Sequence, residues 1–144
     1  MQSAVKKSLK CKCVYAGLLF VTLLLFGTVC SANEYEDNPN YQFLYYGSQG
    51  SNYLDLTSIV VNEYNPPKYE IGAVTVHVDT ATGQTVSGTT TVRYNYDEQS
   101  AYSFNEWTKK WMRVENSDVD LVHERGVILV NAMFHAVYGI NFFH

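Results

Sequence analysis

The chain has 144 residues, 10 Lys+Arg against 14 Asp+Glu, three cysteines and 12 tyrosines. Four of the lysines (Lys6, Lys7, Lys10 and Lys12) precede a long uncharged run, so residues 33–144 keep 6 basic against 14 acidic side chains, a net charge of −8. That balance argues against nucleic acid and anionic lipid, which both need a basic face. All three cysteines (Cys11, Cys13 and Cys30) also lie before residue 33, which leaves no disulfide scaffold and no thiol nucleophile beyond it.

In chain order, the lysines form a basic n-region and Val14 to Gly27 follows without a charge. Its length suits a signal-peptide h-region and falls short of the ~20 residues that cross a bilayer core. Small residues at Cys30 and Ala32 predict a signal peptide over residues 1–32, cut between Ala32 and Asn33. Lipidation at Cys30 is the alternative, but it wants a small residue before the cysteine and Val29 is branched. An uncleaved anchor is a third reading. The expectation is an exported protein of the periplasm, cell surface or medium, with no membrane contact after cleavage.

Residues 33–40, NEYEDNPN, read as a flexible N-terminal segment. Residues 41–144 then form a single domain, long enough to bury roughly two-thirds of its unfolded surface. Tyr41 to Tyr46 suits a strand, and Gly47 to Asn52 a turn. Tyr53 to Leu56 and Ile59 to Tyr64 read as two β runs ended by Asn65-Pro66-Pro67, since proline removes a ladder donor. Lys68 to Thr80 is the longest strand signal. Its apolar phase flips at Ala73-Val74 beside Gly72, which predicts a β-bulge there. Thr80 to Gln84 is a hairpin turn. Thr85 to Tyr96 returns with Val86, Gly88, Thr90, Val92, Tyr94 and Tyr96 on one face and a wet polar face opposite. Ala101 to Phe104 and Trp111 to Glu115 are further strands, with Asn105 to Lys110 ambiguous between them.

Ser117 is a candidate helix N-cap, with Asp118 and Asp120 in the first turn. Val119, Val122, Gly126, Val130, Met133 and Val137 then recur at helical spacing, widened by Leu129, Phe134 and Ala136. Gly139 is placed to end the helix, and Ile140, Phe142 and Phe143 pin the terminus to the core. A run of strands followed by one helix is an α+β pattern: an antiparallel meandering β-sheet with one C-terminal helix packed on a face.

YLDLTSI, Tyr53 to Ile59, resembles the Tyr-(aliphatic)-Asp-x-x-Ser-Ile element of small secreted bacterial proteins grouped around surface-adhesin protein E. PPKYEI (Pro66 to Ile71), VRYNYD and AMFHAVYGINFF are similar to stretches of short exported proteins of unknown function. Together these cover most of residues 33–144. The resemblance implies a curved antiparallel sheet with a helix packed on it. For the named adhesin it implies surface or host-matrix binding, and for the wider group no function.

No residue set points to catalysis, so a non-enzyme is expected. His77 and Asp79 share a strand face, which offers half a metal site or a base with its orienting carboxylate, but equally a solvated strand end. His123 and His135, twelve residues apart on one helix, stand ~18 Å apart along its axis and cannot share a metal. His123-Glu124 is not a His-Glu-x-x-His zinc motif, because residue 127 is valine. No cofactor is expected. The aromatic excess is the remaining signal. Tyr45, Tyr46, Tyr94, Tyr96 and Tyr102, with Trp107 and Trp111, are candidates for an exposed binding patch, although tyrosine is also a favoured strand residue. The function read from these features is an exported, non-enzymatic, adhesin-like binding protein. Its partner is an unknown protein or glycan. A small inhibitor or accessory subunit of an envelope enzyme is the alternative.

Overall fold

The computed structural model describes residues 34–106, 108–116 and 121–144, with side chains described from Glu124 onward in the last stretch. The expected signal peptide, Trp107 and the Ser117 cap lie outside the described residues.

Six strands form one sheet: β1 (Tyr41–Tyr46), β2 (Gly50–Asn65), β3 (Lys68–Asp79), β4 (Thr85–Asn95), β5 (Ser100–Asn105) and β6 (Lys110–Val114). They pair antiparallel in simple chain order, and one helix, α1 (Leu121–Tyr138), follows. This is the α+β meander with a C-terminal helix that the alternating patterns call for. Short turns make it possible. Gly47 N donates to Gly50 O at 2.6 Å between β1 and β2, and Gly83 N to Asp79 O at 2.8 Å between β3 and β4. Asp79 also accepts from the Ala81 and Thr82 amides, both at 2.8 Å.

The segment between Tyr53 and Tyr64 is one strand, not two runs, and the expected bulge sits on β2 rather than β3. The β3–β4 ladder runs from Lys68↔Asn95 to Val78↔Thr85 without a shift. On the other side of β3, Asp55 pairs with Val74 and Val60 with Gly72, so Leu56 to Ile59 stand against Ala73 alone. A serine fills the gap. Val74 N donates to Ser58 Oγ at 2.7 Å, and Ser58 Oγ donates to Asp55 O at 2.7 Å. The Asp55 carboxylate meanwhile accepts from Thr57 N at 2.9 Å and Thr57 Oγ1 at 2.6 Å. The β-bulge therefore costs no unpaired amide at Val74.

Helix α1 covers one face of the sheet. Leu54, Ile71, Ala73, Val92, Tyr94 and Ala101 form a core there with Val130, Ala132, Met133 and Phe134 of the helix and Phe142 and Phe143 beyond it. Ala136, expected to widen the helix stripe, is exposed instead. Phe134 is the centre of an aromatic cluster, with ring centroids 5.0 Å from Tyr94, 4.7 Å from Tyr138 and 5.3 Å from Phe142. Gly139, at φ 74°, ends the helix, and its amide donates to His135 O at 2.8 Å. Only glycine takes that conformation without strain. The chain then turns back, and Asn131 Oδ1 accepts from both the Phe142 and Phe143 amides. Among the described residues no helix is long and apolar enough to cross a membrane.

Candidate functional site: the helix-free face of the sheet

Strand side chains alternate between faces, so the registers sort every residue. Tyr94 pairs with Ala101 under the helix. Its neighbour Arg93 pairs with Tyr102, and Tyr102 with Arg113. Arg93, Tyr102 and Arg113 therefore stand side by side on the face away from α1, about 5 Å apart from strand to strand. Glu70 precedes them on β3 opposite Arg93, and Phe104 and Trp111 are paired one step along.

These side chains are ordered by each other. Arg93 Nε donates to Glu70 Oε2 at 2.7 Å. Its guanidinium lies 4.0 Å from the Trp111 ring centroid, stacked over β5. Phe104 packs on Trp111 with ring centroids 5.2 Å apart, and Asn62 Nδ2 reaches Glu70 Oε1 at 3.3 Å. An exposed ion pair alone contributes little. Here the carboxylate and the indole hold one guanidinium from two sides, and a cation over tryptophan adds about 0.5–1 kcal/mol. A cavity of about 190 Å³ opens beside Arg93 and Tyr102, with Lys68 and Glu98 also on its wall.

The sequence candidates divide between the two faces. Tyr102, 39% exposed, and the half-buried Trp111 belong to this patch. Tyr46 is 69% exposed on the same face but in β1, at the opposite edge. Five strand spacings, about 24 Å, separate it from β6. It packs instead on Phe43, with centroids 4.7 Å apart, and Phe43 on Tyr53 at 5.7 Å. Tyr35 joins that second cluster against Tyr41 and Tyr53, at 4.8 and 5.6 Å. Glu34 to Asn40, the described part of the segment 33–40, carries turns and the Tyr35 ring contacts.

Three candidates are not surface residues of this face. Tyr94 is 2% exposed and part of the core. Its hydroxyl donates to Val130 O at 3.2 Å, and burial pushes the phenol far above its ordinary range. Tyr96 packs under the helix against Phe134 and Phe142, at 5.9 and 6.1 Å. Tyr45 is turned to the helix side by a register shift between Phe43 and Tyr45, with the Arg125 guanidinium 5.2 Å from its ring. Arg93, Arg113, Phe104 and Glu70 are the members that counting tyrosine and tryptophan missed. The alternation of β4 carried a signal for one of them, since it put Arg93 on the wet face.

His77 and Asp79 take separate hydrogen-bond partners. His77 Nδ1 faces Asn52 Oδ1 at 3.2 Å. The Asp79 carboxylate is held below its usual range, first by the Thr82 and Ala81 amides and only weakly by His77. Among the described residues no group of three or more His, Cys, Asp or Glu could hold a metal ion. A larger groove of about 380 Å³ lies on the helix side between Gln42 and His135 and contains none of the candidate aromatics.

No protein-family model, no curated protein and no solved structure matches this chain. Its function is therefore argued from the sheet face itself.

Proposed function

We propose that this chain is an exported, non-enzymatic, adhesin-like binding protein of the cell envelope or medium, and that it meets its partner through the helix-free face at β4–β6. The observation that carries the reading is the row Arg93–Tyr102–Arg113 beside Trp111. Tyrosine, tryptophan and arginine are the side chains enriched where proteins bind one another, because each joins apolar area to a directed polar group. The Glu70 and Trp111 contacts fix Arg93 before any partner arrives, which lowers the entropy lost on binding. A protein partner fits better than a glycan. A sugar ring stacks on an open aromatic face, and here Arg93 lies over Trp111. The basic n-region and apolar run support export.

Crosslinking on native cells identifies the partner, and Tyr102→Ala and Arg113→Ala then test the face. Both positions are exposed, so each variant keeps its melting temperature while binding weakens at least tenfold. Binding unchanged in both variants would refute the assignment. Partner loss only on mutating the opposite face, at Arg125 or His135, would move the site to the helix side.

A further inference from the structure

β4 begins at Thr85, but β5 pairs with it only from Val92 to Asn95. Continuing that register sets Phe104 and Asn105, the last residues of β5, level with Thr91 and Thr90. Thr85 to Thr89 therefore runs past the end of β5. All of these residues are exposed, and among the described residues no strand pairs with that side of them. Gln84 O accepts from Asp79 N at 2.9 Å and Gly88 O from Thr75 Oγ1 at 3.3 Å, both toward β3. Alternation then turns the N–H and C=O groups of Thr85, Ser87 and Thr89 outward.

Natural sheets guard such an edge with lysine, proline or a bulge. This one has none of them. Thr80 to Val92 contains no charge and no proline, and its ladder to β3 is unbroken. Two further features lie on the edge. Val86 is 67% exposed. Gly88, inside the strand, has nothing within 4 Å of where a Cβ would stand. Glycine within a strand weakens it and marks a place where another backbone comes close.

We propose that Thr85–Thr89 pairs antiparallel with the same edge of a second copy of this chain, about a two-fold axis at Ser87. Thr85 then faces Thr89 of the other copy, and the outward amides and carbonyls of Thr85, Ser87 and Thr89 find partners. At each end Gln84 of one copy comes level with Thr90 of the other, so the pairing requires the end of β5, which leaves the β4 ladder after Ser103, to stand clear of that turn. Val86 lands beside Gly88 of the other copy, so each copy's exposed valine covers the other's bare glycine. On the opposite face threonine meets threonine, a pairing that favours strand association. The occupant is a second copy, rather than a foreign strand, because the segment supplies both halves of that fit. It is also an uncharged stretch, so no like side-chain charges face each other where two net-acidic chains meet. The contact is isologous and closed. It joins the two sheets edge to edge with both helix-free faces on one side. Five residues of edge span about 17 Å and bury far less than the ~1,600 Å² of a standard interface, so the dimer is weak and concentration-dependent.

Sedimentation of the full chain from micromolar concentration to about 1 mM tests this, since the small contact places the midpoint in that range. The expected result is a mass rising from one chain toward two. Val86→Lys sets two ammonium groups near the axis, and Ser87→Pro removes an outward donor while sparing the β3 ladder. Each weakens association at least tenfold. Val86→Lys stands at a solvated position and carries the test if Ser87→Pro fails to fold. A monomer at the highest concentration overturns the proposal, as does self-association unchanged in both variants. A monomer that nevertheless binds a synthetic Thr85–Thr91 peptide overturns it too, by showing that the edge takes a foreign strand.

Discussion

Tyr94 and Tyr102 are the same residue type on paired strands, one level apart, and they should behave oppositely on mutation. Tyr94 is 2% exposed, within 5.0 Å of both the Phe134 and Phe142 ring centroids, and its hydroxyl donates to Val130 O. Tyr94→Ala removes a buried ring, which costs about 4 kcal/mol including the cavity left behind. Tyr94→Phe keeps the ring and loses only the hydrogen bond, for about 1 kcal/mol. Tyr102→Ala, at a site 39% exposed, stays within about 0.5 kcal/mol. For a domain of this size 1 kcal/mol shifts the melting temperature by about 4 °C, so Tyr94→Ala falls by about 15 °C and Tyr102→Ala by 2 °C or less. Urea unfolding at constant slope gives the free energies directly. There is also an alkaline signature. Burial raises the Tyr94 phenol above its ordinary value of 10.0. Its contribution is whole below about pH 10 and is lost progressively above it, as the unfolded phenol ionises first. Tyr94→Phe removes that part of the alkaline decline. If Tyr94→Ala costs under 1 kcal/mol, or no more than Tyr102→Ala, the division of the tyrosines between core and face is wrong.

Gly50→Ala should be severe, costing about 2 kcal/mol or more, because the added Cβ would overlap the Val78 carbonyl and the backbone must move; thermal melts measure it. The Asp79 carboxyl is lowered by the Thr82 and Ala81 amides, so its contribution is present above its unfolded value, near pH 4, and is lost as pH falls through the depressed folded value. Asp79→Asn should flatten that acid limb in chemical unfolding followed against pH. Arg93→Met leaves stability within about 1 kcal/mol, since the Arg93 side chain is 54% exposed and Glu70, 18% exposed, keeps its contact with Asn62, but it changes the cover over the indole of Trp111 and with it tryptophan emission.

The meander was legible because turn residues separate the strand runs, and because β4 and the helix stripe keep a clean period. β4 shows this best. Its alternation already separated Val92 and Tyr94 from Arg93, and the core follows that division. Counting aromatics overrode it and put Tyr94 and Tyr96 on the surface. Tyr45 could not be placed by pattern at all, since the register shift beside Phe43 reverses its face. β2 was unreadable for a related reason. Its break is filled by Ser58 bonding to a strand sixteen residues away, a contact with no local signature. The Arg93–Trp111 stack spans two strand spacings across β5, and no spacing along the chain encodes it.

The YLDLTSI stretch gains a physical meaning from this arrangement. Tyr53 is buried beneath Phe43 and Tyr35, Asp55 holds Thr57, and Ser58 links Asp55 to Val74. Asp55, Thr57 and Ser58 hold the register shift in β2, Tyr53 packs beside it, and none of them reaches the β4–β6 patch. A chain sharing the motif would therefore share a bulged second strand and not thereby a ligand. Under the proposed function, specificity comes from elsewhere on the helix-free face, where Arg113 and Tyr102 are exposed and can be replaced without disturbing the relay. Ser58→Ala separates the two. It removes the Val74 amide's partner and costs about 1–3 kcal/mol, read by urea unfolding, yet below the transition it leaves partner binding intact. Tyr102→Ala does the reverse. Binding lost with Ser58→Ala while the protein is still folded would mean that the bend itself is part of the site.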